Sequence, residues 1–407
     1  MKRTFFKVPA LMFMVLLTAC GLLGPAPENP PNDGQDTPPP PEDTQPPPVS
    51  KAQERLGGMT LEEKVGQLFI IRPESLQDPG ADQAGVTAPG AHLAEALKAY
   101  PVGGIALFGQ NIVTPEQLTS FIDEVQRQSE TPLFIAVDEE GGSVARIANS
   151  KNFTVPQRYR SMREIGATGE PDEAKKVGAT IGAYLKQYGF NLDFAPVADV
   201  FTNPNNTVIG NRAFGSDPDL VARMVAAEIS GLHEAGVMSC AKHYPGHGDT
   251  RGDTHEGFVS IEKTWEELLR CELIPFVKAI EAQTDMVMVS HIVAANITGG
   301  NLPSSLSNEM VEERLRGGLG FKGVVITDAM EMGAISQEYS SSESAVRAIS
   351  AGVDIVLMPE NFAEAYEGVL GAVKDGTISE KRIDESVLRI LELKSKYGLL
   401  EKATGEE

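Results

Sequence analysis

Short apolar runs alternate with longer amphipathic stretches through most of the chain. The amphipathic stretches repeat apolar positions at helical spacing, as in residues 115–128, 343–351 and 384–397. The apolar runs are short and are typical of buried strands; they cover residues 66–72, 103–108, 133–138, 192–197, 237–243, 286–291, 324–328 and 355–358. Strands that alternate with helices predict βα units and a parallel sheet.

The number of these units favours a closed (β/α)8 barrel of the TIM type, forming a single catalytic domain. An open doubly wound sheet is the alternative architecture. No Gly-x-Gly-x-x-Gly turn follows the first apolar run, so the sequence gives that alternative no support. We expect the barrel to occupy residues 52–400, with a short tail at 401–407. Thr60-Leu61-Glu62-Glu63 has the pattern of a capping box and predicts a helix that begins there.

The N-terminus has the features of an export signal. Basic residues precede an apolar run at positions 8–17, which is too short to span a bilayer. The run ends in Leu17-Thr18-Ala19-Cys20, which resembles the bacterial lipobox. We therefore interpret residues 1–20 as a lipoprotein signal peptide and Cys20 as the lipid-modified residue that anchors the protein. An ordinary secretory signal is the alternative.

Residues 21–51 are rich in proline and polar residues and lack apolar periodicity. Such a composition buries no core, and proline favours an extended spacer. The segment is interpreted as a disordered tether; a proline-rich docking ligand is the alternative.

Composition narrows the class of partner. The chain has 407 residues and a formal net charge of −22, which disfavours nucleic-acid binding. After Cys20 only Cys240 and Cys271 remain, so a disulfide framework is not predicted. A single bridge between those two stays open.

Polar side chains follow several of the predicted strands. They are Asp138, Asp199, His243, His291 and Asp328. Barrel enzymes place their chemistry at the carboxyl ends of the strands, so these positions indicate an active site. The sequence leaves open whether Asp199 and His291 line the pocket or only form hydrogen bonds beneath it.

The segment 241–255 holds three of the six histidines among turn-forming glycines. A carboxylate at Asp253 lies two residues before His255, where a local turn brings it within reach of the imidazole. Such a carboxylate orients the ring and stabilises its protonated form, as a general acid/base requires. One alternative is a metal site, with ligands drawn from His243, His247, Asp249, Asp253 and His255. Another is a polar loop around a core histidine.

The apolar run at residues 324–328 ends in Thr327-Asp328, which places one carboxylate at the carboxyl end of the strand. Aspartate at a strand end is often only a helix cap. Together with a distant proton donor, however, it supplies the second group that a retaining glycosidase needs, a carboxylate nucleophile.

The segment Lys242-His243-Tyr244-Pro245-Gly246-His247-Gly248-Asp249-Thr250, followed by Asp253-Thr254-His255, resembles the signature of glycoside hydrolase family 3. It is most similar to the bacterial β-N-acetylglucosaminidase branch of that family. The resemblance covers residues 56–400. The β-glucosidase branch, which usually carries a second α/β domain and a carboxylate acid/base, fits less well.

The resemblance implies a role for each matching residue. Asp328 corresponds to the nucleophile, His255 to the acid/base and Asp253 to its assisting carboxylate. The residues that bind the sugar are implied to be Asp138, Arg146, Arg212, Lys242 and His243. No metal and no organic cofactor is implied.

The implied activity is retaining exo-hydrolysis of terminal β-linked N-acetylglucosamine, with peptidoglycan fragments as the natural substrate. We expect an exported monomer held by its lipid anchor on the outer face of a bacterial membrane. The alternatives are a phosphorylase or another family 3 glycosidase, a metal-dependent barrel hydrolase, and a non-catalytic anchored sugar-binding protein.

Overall fold

Two capping boxes begin the folded chain. The structure is a computed structural model that describes residues 49–77, 85–255 and 257–401. Ser50 caps the helix Lys51–Gly57 through Gln53, and Thr60 caps Leu61–Gln67 through Glu63, which confirms the helix predicted from the Thr-x-x-Glu pattern. The second helix includes the first two residues of the predicted run 66–72. The first strand therefore begins later than expected.

Eight parallel strands form the sheet, one at each predicted apolar run, and only Met238–Tyr244 extends past its run, by one residue. They are β1 Phe69–Ile71, β2 Gly104–Ala106, β3 Phe134–Val137, β4 Leu192–Asp193, β5 Met238–Tyr244, β6 Met286–Val289, β7 Val324–Thr327 and β8 Val356–Leu357. Each strand pairs with the next along the chain from β1 to β7, and β8 pairs with β1. A parallel bridge between Ile326 and Ile355 joins β7 to the start of β8. The sheet thus closes into a TIM-type (β/α)8 barrel, as predicted, and the open-sheet alternative is wrong.

Helices cover the outside of this barrel. The predicted helices correspond to Pro115–Gln128, Ser341–Ser350 and Glu380–Lys396, and the last two begin earlier than expected because Ser340 and Ser379 cap them. The other α-helices are Ala91–Ala99, Met162–Gly166, Pro171–Gln187, Pro218–Glu234, Trp265–Leu268, Ile274–Glu281, Ala295–Thr298, Gly333–Ser336 and Phe362–Lys374. Short 3-10 helices are Pro73–Leu76, Gly109–Asn111, Gly210–Arg212 and Ser304–Leu306, and Glu309–Gly318 is π-helical. Outside the barrel, Glu139–Gly141 pairs with Val144–Ala145, and Val259–Ser260 pairs with Ile292–Val293.

Buried charges hold the amino ends of the strands. Asp354, just before β8, is fully buried and accepts hydrogen bonds from Arg316 at 2.6 Å and Arg389 at 2.9 Å. Asp285, just before β6, accepts from Tyr397 at 2.7 Å and Lys396 at 2.6 Å. In barrel enzymes this face serves stability, whereas the opposite face carries function.

The remaining predictions concern a disulfide bridge and the N-terminal segments. Cys240 is buried, and both Cys240 and Cys271 are free thiols, so the bridge left open by the sequence is not formed. The predicted signal peptide, Cys20 and the predicted tether up to residue 48 lie outside the described residues. Within the part of the chain that is described, no helix has the length and apolar character needed to cross a bilayer.

Candidate active site

A cavity of about 230 Å³ lies at the carboxyl ends of the strands. It is lined by most of the residues predicted to carry function, namely Asp138, Arg146, Arg212, Lys242, His243, His255 and Asp328. Asp253 does not line the cavity but contacts His255. Residues that are far apart in sequence meet here because parallel strands end at the same face of the barrel.

Asp138 follows β3 and is held by two cations. Lys242 donates from Nζ to Asp138 Oδ1 at 2.6 Å, and Arg146 Nη2 lies 3.4 Å from Oδ2. The Asp138 side chain is 20% exposed, so its oxygens remain accessible from the cavity. A fixed carboxylate with free lone pairs is well suited to accept hydrogen bonds from sugar hydroxyls.

Glu140 is a site residue that the sequence interpretation missed. Its carboxylate accepts from Arg212 Nε and Nη2, each at 2.8 Å, and forms an ion pair with Lys242 at 2.6 Å. Burial alone would raise the pKa of Glu140, but Arg212 and Lys242 outweigh burial and hold that pKa far below its usual range. Burial acts to lower the pKa of Lys242 and of Arg212. The neighbouring carboxylates outweigh burial, because Asp138 and Glu140 raise the pKa of Lys242 and Glu140 raises the pKa of Arg212. The sequence contained a signal for this residue, because Glu140 lies two positions after Asp138 in an extended segment.

His243 is oriented from below by Asp199. The imidazole Nδ1 lies 2.7 Å from Asp199 Oδ2, and Nε2 lies 3.2 Å from Arg212 Nη2. Because arginine only donates, Nε2 acts as the acceptor and Nδ1 carries the proton. The peptide bond between Lys242 and His243 is cis, and both side chains line the cavity. Asp199, whose role the sequence left open, is fully buried and does not line the cavity.

Asp253 and His255 form the expected pair on the loop after β5. His255 Nδ1 lies 2.6 Å from Asp253 Oδ1, and the same oxygen accepts from the His255 backbone N–H at 2.9 Å. Burial acts to raise the pKa of Asp253, but these two hydrogen bonds lower it overall. The carboxylate therefore stays ionised and fixes the ring, while the imidazole itself is 65% exposed.

Asp328 directly follows β7. Its Oδ1 accepts from the backbone N–H of Ala329 at 2.8 Å. Burial would raise the pKa of Asp328, but this backbone donor and the positive charge of Lys242 act to lower it, and the pKa is lowered overall, so the carboxylate is ionised at neutral pH. His291 is fully buried beneath it, with Nε2 at 2.9 Å from the Ala329 carbonyl and Nδ1 at 2.8 Å from Ser305 Oγ. Burial lowers the pKa of His291, so the ring is neutral and supports the loop rather than lining the cavity.

Comparison with known proteins assigns the family. Residues 60–393 match the N-terminal domain of glycosyl hydrolase family 3. The chain belongs to glycosyl hydrolase family 3. The family predicted from the histidine-rich segment is therefore confirmed, and with it the barrel fold.

Individual members of family 3 resemble the chain over most of its length. It is similar to beta-hexosaminidase A of Pseudoalteromonas piscicida, with 32% identity over 83% of this chain and 61% of the relative. Beta-hexosaminidase LpqI of Mycobacterium tuberculosis is 32% identical over 82% of both chains. Among solved structures, a family 3 β-N-acetylglucosaminidase from Paenibacillus sp. str. FPU-7 superposes with a TM-score of 0.77 at 36% identity, covering 84% of this chain and 63% of that one. The chain thus spans less than two thirds of two of these relatives.

The candidate ligands of the metal-site alternative are engaged in separate contacts. His243 pairs with Asp199, and Asp253 pairs with His255. Asp249 instead lies 3.2 Å from Lys263 Nζ. Across residues 49–77, 85–255 and 257–401, no three His, Cys, Asp or Glu side chains converge in a metal-binding arrangement.

The rim of the cavity contains three side chains that the sequence did not indicate, namely Arg72, Phe108 and Glu331. The guanidinium groups of Arg72 and Arg146 lie 5.2 and 5.4 Å from the centre of the Phe108 ring. Arg72 also forms an ion pair with Glu331, three residues after Asp328. His247, which the sequence offered as a possible metal ligand, also lines the cavity from the loop that carries His255. Only the folded arrangement brings Arg72, Phe108 and Glu331 to one opening, since no local motif links them.

Proposed function

We propose that this family 3 protein is a retaining exo-β-N-acetylglucosaminidase that hydrolyses terminal β-linked N-acetylglucosamine. The observation that carries the proposal is that Asp328 and His255 line one cavity together with the charged cluster around Asp138 and Glu140. The hexosaminidase names of the relatives and the β-N-acetylglucosaminidase structure support the choice of sugar.

The reaction is a double displacement. His255 Nδ1 is held by Asp253, so Nε2 delivers the proton to the glycosidic oxygen. As the bond from C1 to that oxygen breaks, Asp328 attacks C1 and forms a glycosyl ester. With Oδ1 held by the Ala329 N–H, Oδ2 is the attacking oxygen. His255 then takes a proton from water, which attacks C1, releases the sugar with retained configuration and restores the carboxylate.

The sugar is recognised by charged groups that are already paired with one another. Asp138 accepts from hydroxyls, while Arg146, Arg212 and Lys242 donate and His243 presents an imidazole edge. Each of these cations is paired with Asp138 or Glu140, so the sugar binds through directed hydrogen bonds rather than through attraction to an unpaired charge. A small cavity lined with such groups discriminates strongly, because an unmatched polar group is left without a partner.

The natural substrates are peptidoglycan fragments or related oligosaccharides that end in N-acetylglucosamine. The lipobox at Leu17-Thr18-Ala19-Cys20 supports export and lipid anchoring at Cys20. The proline-rich segment after Cys20 tethers the barrel to the outer face of the membrane, and it ends before Ser50, which caps the first helix. Cys20→Ser in the producing cell would move the protein from the membrane fraction to the soluble fraction. A protein that remains in the membrane fraction would contradict the anchor.

The activity is tested with the full chain in mild detergent. We expect release of nitrophenol from 4-nitrophenyl N-acetyl-β-D-glucosaminide and little from the matching β-glucoside, in the presence of a chelator and without phosphate. A strict requirement for phosphate would instead assign a phosphorylase, and loss on chelation with recovery on added metal would assign a metal-dependent hydrolase. Saccharide binding with no turnover of either glycoside or of cell-wall fragments would assign a binding protein.

A further inference from the structure

The backbone of the loop that carries His255 is docked on the segment that follows Asp328. The Ala334 N–H donates to the Thr254 carbonyl at 3.1 Å, and the Gly333 N–H donates to the His255 carbonyl at 3.3 Å. Gly333 and Ala334 begin the helix Gly333–Ser336, a few residues after Asp328. The two halves of the catalytic machinery are therefore connected by main-chain hydrogen bonds, not only by the substrate that lies between them.

A glycine at position 333 is required for this approach. A Cβ on Gly333 would lie 2.6 Å from the His255 carbonyl oxygen and 2.7 Å from Gln337 Nε2. The Gln337 amide is the end of a flexible side chain and can move away. The His255 oxygen belongs to the backbone, so any side chain at position 333 displaces the acid/base loop.

Thr254 provides a second anchor for the same loop. Its side chain is buried, and its Oγ1 lies 3.4 Å from His247 Nε2. His247 is in turn fixed through Nδ1 by Thr250 Oγ1 at 2.7 Å. By contrast, the side chains of Asp253 and His255 are partly or largely exposed. The position of the imidazole thus depends on these few anchors.

We propose that Gly333 is a positioning residue for the general acid/base. The absence of a side chain at Gly333 lets the His255 carbonyl dock beside the nucleophile segment, and this docking places the imidazole at the height where it reaches the glycosidic oxygen. The inference rests on the proposed function, because it assumes that His255 is the acid/base. It adds a constraint that lies outside the cavity, since Gly333 does not line it.

The test uses leaving groups of different quality. General-acid assistance contributes about 10²–10⁴-fold when the leaving group needs a proton and little when it departs as a stable anion. For Gly333→Ala we expect kcat/KM on N,N′-diacetylchitobiose to fall by about ten-fold or more, with kcat/KM on 2,4-dinitrophenyl N-acetyl-β-D-glucosaminide within about two-fold of wild type. Azide should raise kcat of Gly333→Ala on the dinitrophenyl substrate, because it replaces water that is poorly activated by a displaced base. Equal losses on both substrates would overturn the proposal.

Three further variants show whether a selective loss in Gly333→Ala comes from displacement of His255. Gly371→Ala is the matched control, because a Cβ there meets nothing within 4 Å, and it should leave both rates unchanged. Gly333→Ala combined with Gln337→Ala removes the flexible neighbour; the selective loss should persist, and full recovery would show that Gln337 and not His255 was displaced. If Gly333→Ala does not fold, Thr254→Val, which removes the contact to His247, should give the same selective loss.

The acid/base assignment has its own control. His255→Ala should show the same dependence on leaving group in a stronger form. If His255→Ala loses activity equally on both substrates, the proposed function fails at the acid/base. If His255→Ala is selective and Gly333→Ala matches wild type, only the positioning role of Gly333 fails.

Discussion

Glu140 accepts two parallel hydrogen bonds from the guanidinium of Arg212, each 2.8 Å long, in the floor of the active-site cavity. The side chain of Glu140 is 1% exposed, and it also pairs with Lys242. The buried carboxylate lies between Arg212 and Lys242, two cations that would otherwise repel each other. The pairing therefore stabilises the fold and also holds the two side chains in place at the cavity.

We predict that Glu140→Gln destabilises the protein and impairs sugar binding. The amide retains the volume but leaves buried Arg212 and Lys242 with less counter-charge, and breaking a buried ion pair costs about 3–5 kcal/mol. Urea unfolding should show this loss, and KM for the aryl glycoside should rise because both cations shift. Glu62→Gln is the control, since Glu62 pairs with Lys374 in an exposed bridge and should change stability by less than about 1 kcal/mol. Equal effects of the two substitutions would contradict the structural role of Glu140.

The stereochemistry of the azide products should separate the catalytic roles proposed for Asp328 and His255. In Asp328→Ala, azide attacks from the face that the carboxylate occupied and yields the α-glycosyl azide. In His255→Ala, Asp328 still forms the glycosyl ester, and azide then displaces it to give the β-glycosyl azide. The measurement is NMR of the products from the dinitrophenyl substrate. The same anomer from both variants would mean that at least one assignment is wrong.

Particular residues show which parts of the fold can be predicted from the sequence. The capping pattern at Thr60 and the apolar runs predicted helix and strand positions because those signals are local. The strand bounds were less accurate: the run 192–197 contains only a two-residue strand, Leu192–Asp193, and continues irregularly up to a bridge between Val197 and Lys242. Hydrophobicity marks burial, whereas strand bounds depend on pairing with neighbours.

The site shows the same division between local and distant signals. Asp253 and His255 are two residues apart, so their contact could be predicted from the motif. The pairing of Glu140 with Arg212 spans 72 residues, and the docking of His255 on Gly333 depends on how two loops meet above the barrel. No pattern within one segment reports such contacts, which arise only when the barrel closes.

Asp354→Asn should lower stability without affecting catalysis. Asp354 is buried at the amino ends of the strands, where it binds Arg316 and Arg389. Replacing it leaves two guanidinium groups without their shared carboxylate, at a cost of about 3–5 kcal/mol. We expect a lower Tm and an unchanged kcat/KM at temperatures well below it. Asp123→Asn, an exposed site on the helix Pro115–Gln128, should change neither quantity. A loss of kcat/KM with an unchanged Tm would contradict the separation of the two barrel faces.

Glu228 and Asp193 are buried carboxyl groups for which the described residues provide no neutralising partner like that of Glu140. Both are buried, each has one oxygen without a hydrogen-bond partner, and burial raises the pKa of each well above its usual range. Glu228 lies on the helix Pro218–Glu234, and burial is the main cause of its raised pKa. The folded protein therefore keeps these groups protonated at pH values where the unfolded chain has already lost the proton.

The sign of the resulting pH dependence follows from linkage. For a raised pKa the folded state binds more protons, so the stabilisation is complete below the unfolded pKa of about 4.3 and is lost as pH rises through the folded pKa. Glu228→Gln replaces the carboxyl with a neutral group of the same shape and removes this dependence. Relative to wild type, Glu228→Gln should gain up to about 1.4 kcal/mol per pH unit within that window. Urea unfolding at a series of pH values from 5 to 9 measures the difference. Glu234→Gln, on the same helix but in an exposed bridge with Lys175, should track wild type at every pH. If Glu228→Gln also tracks wild type, then Glu228 does not change protonation on folding, and its carboxylate must be balanced within the native state.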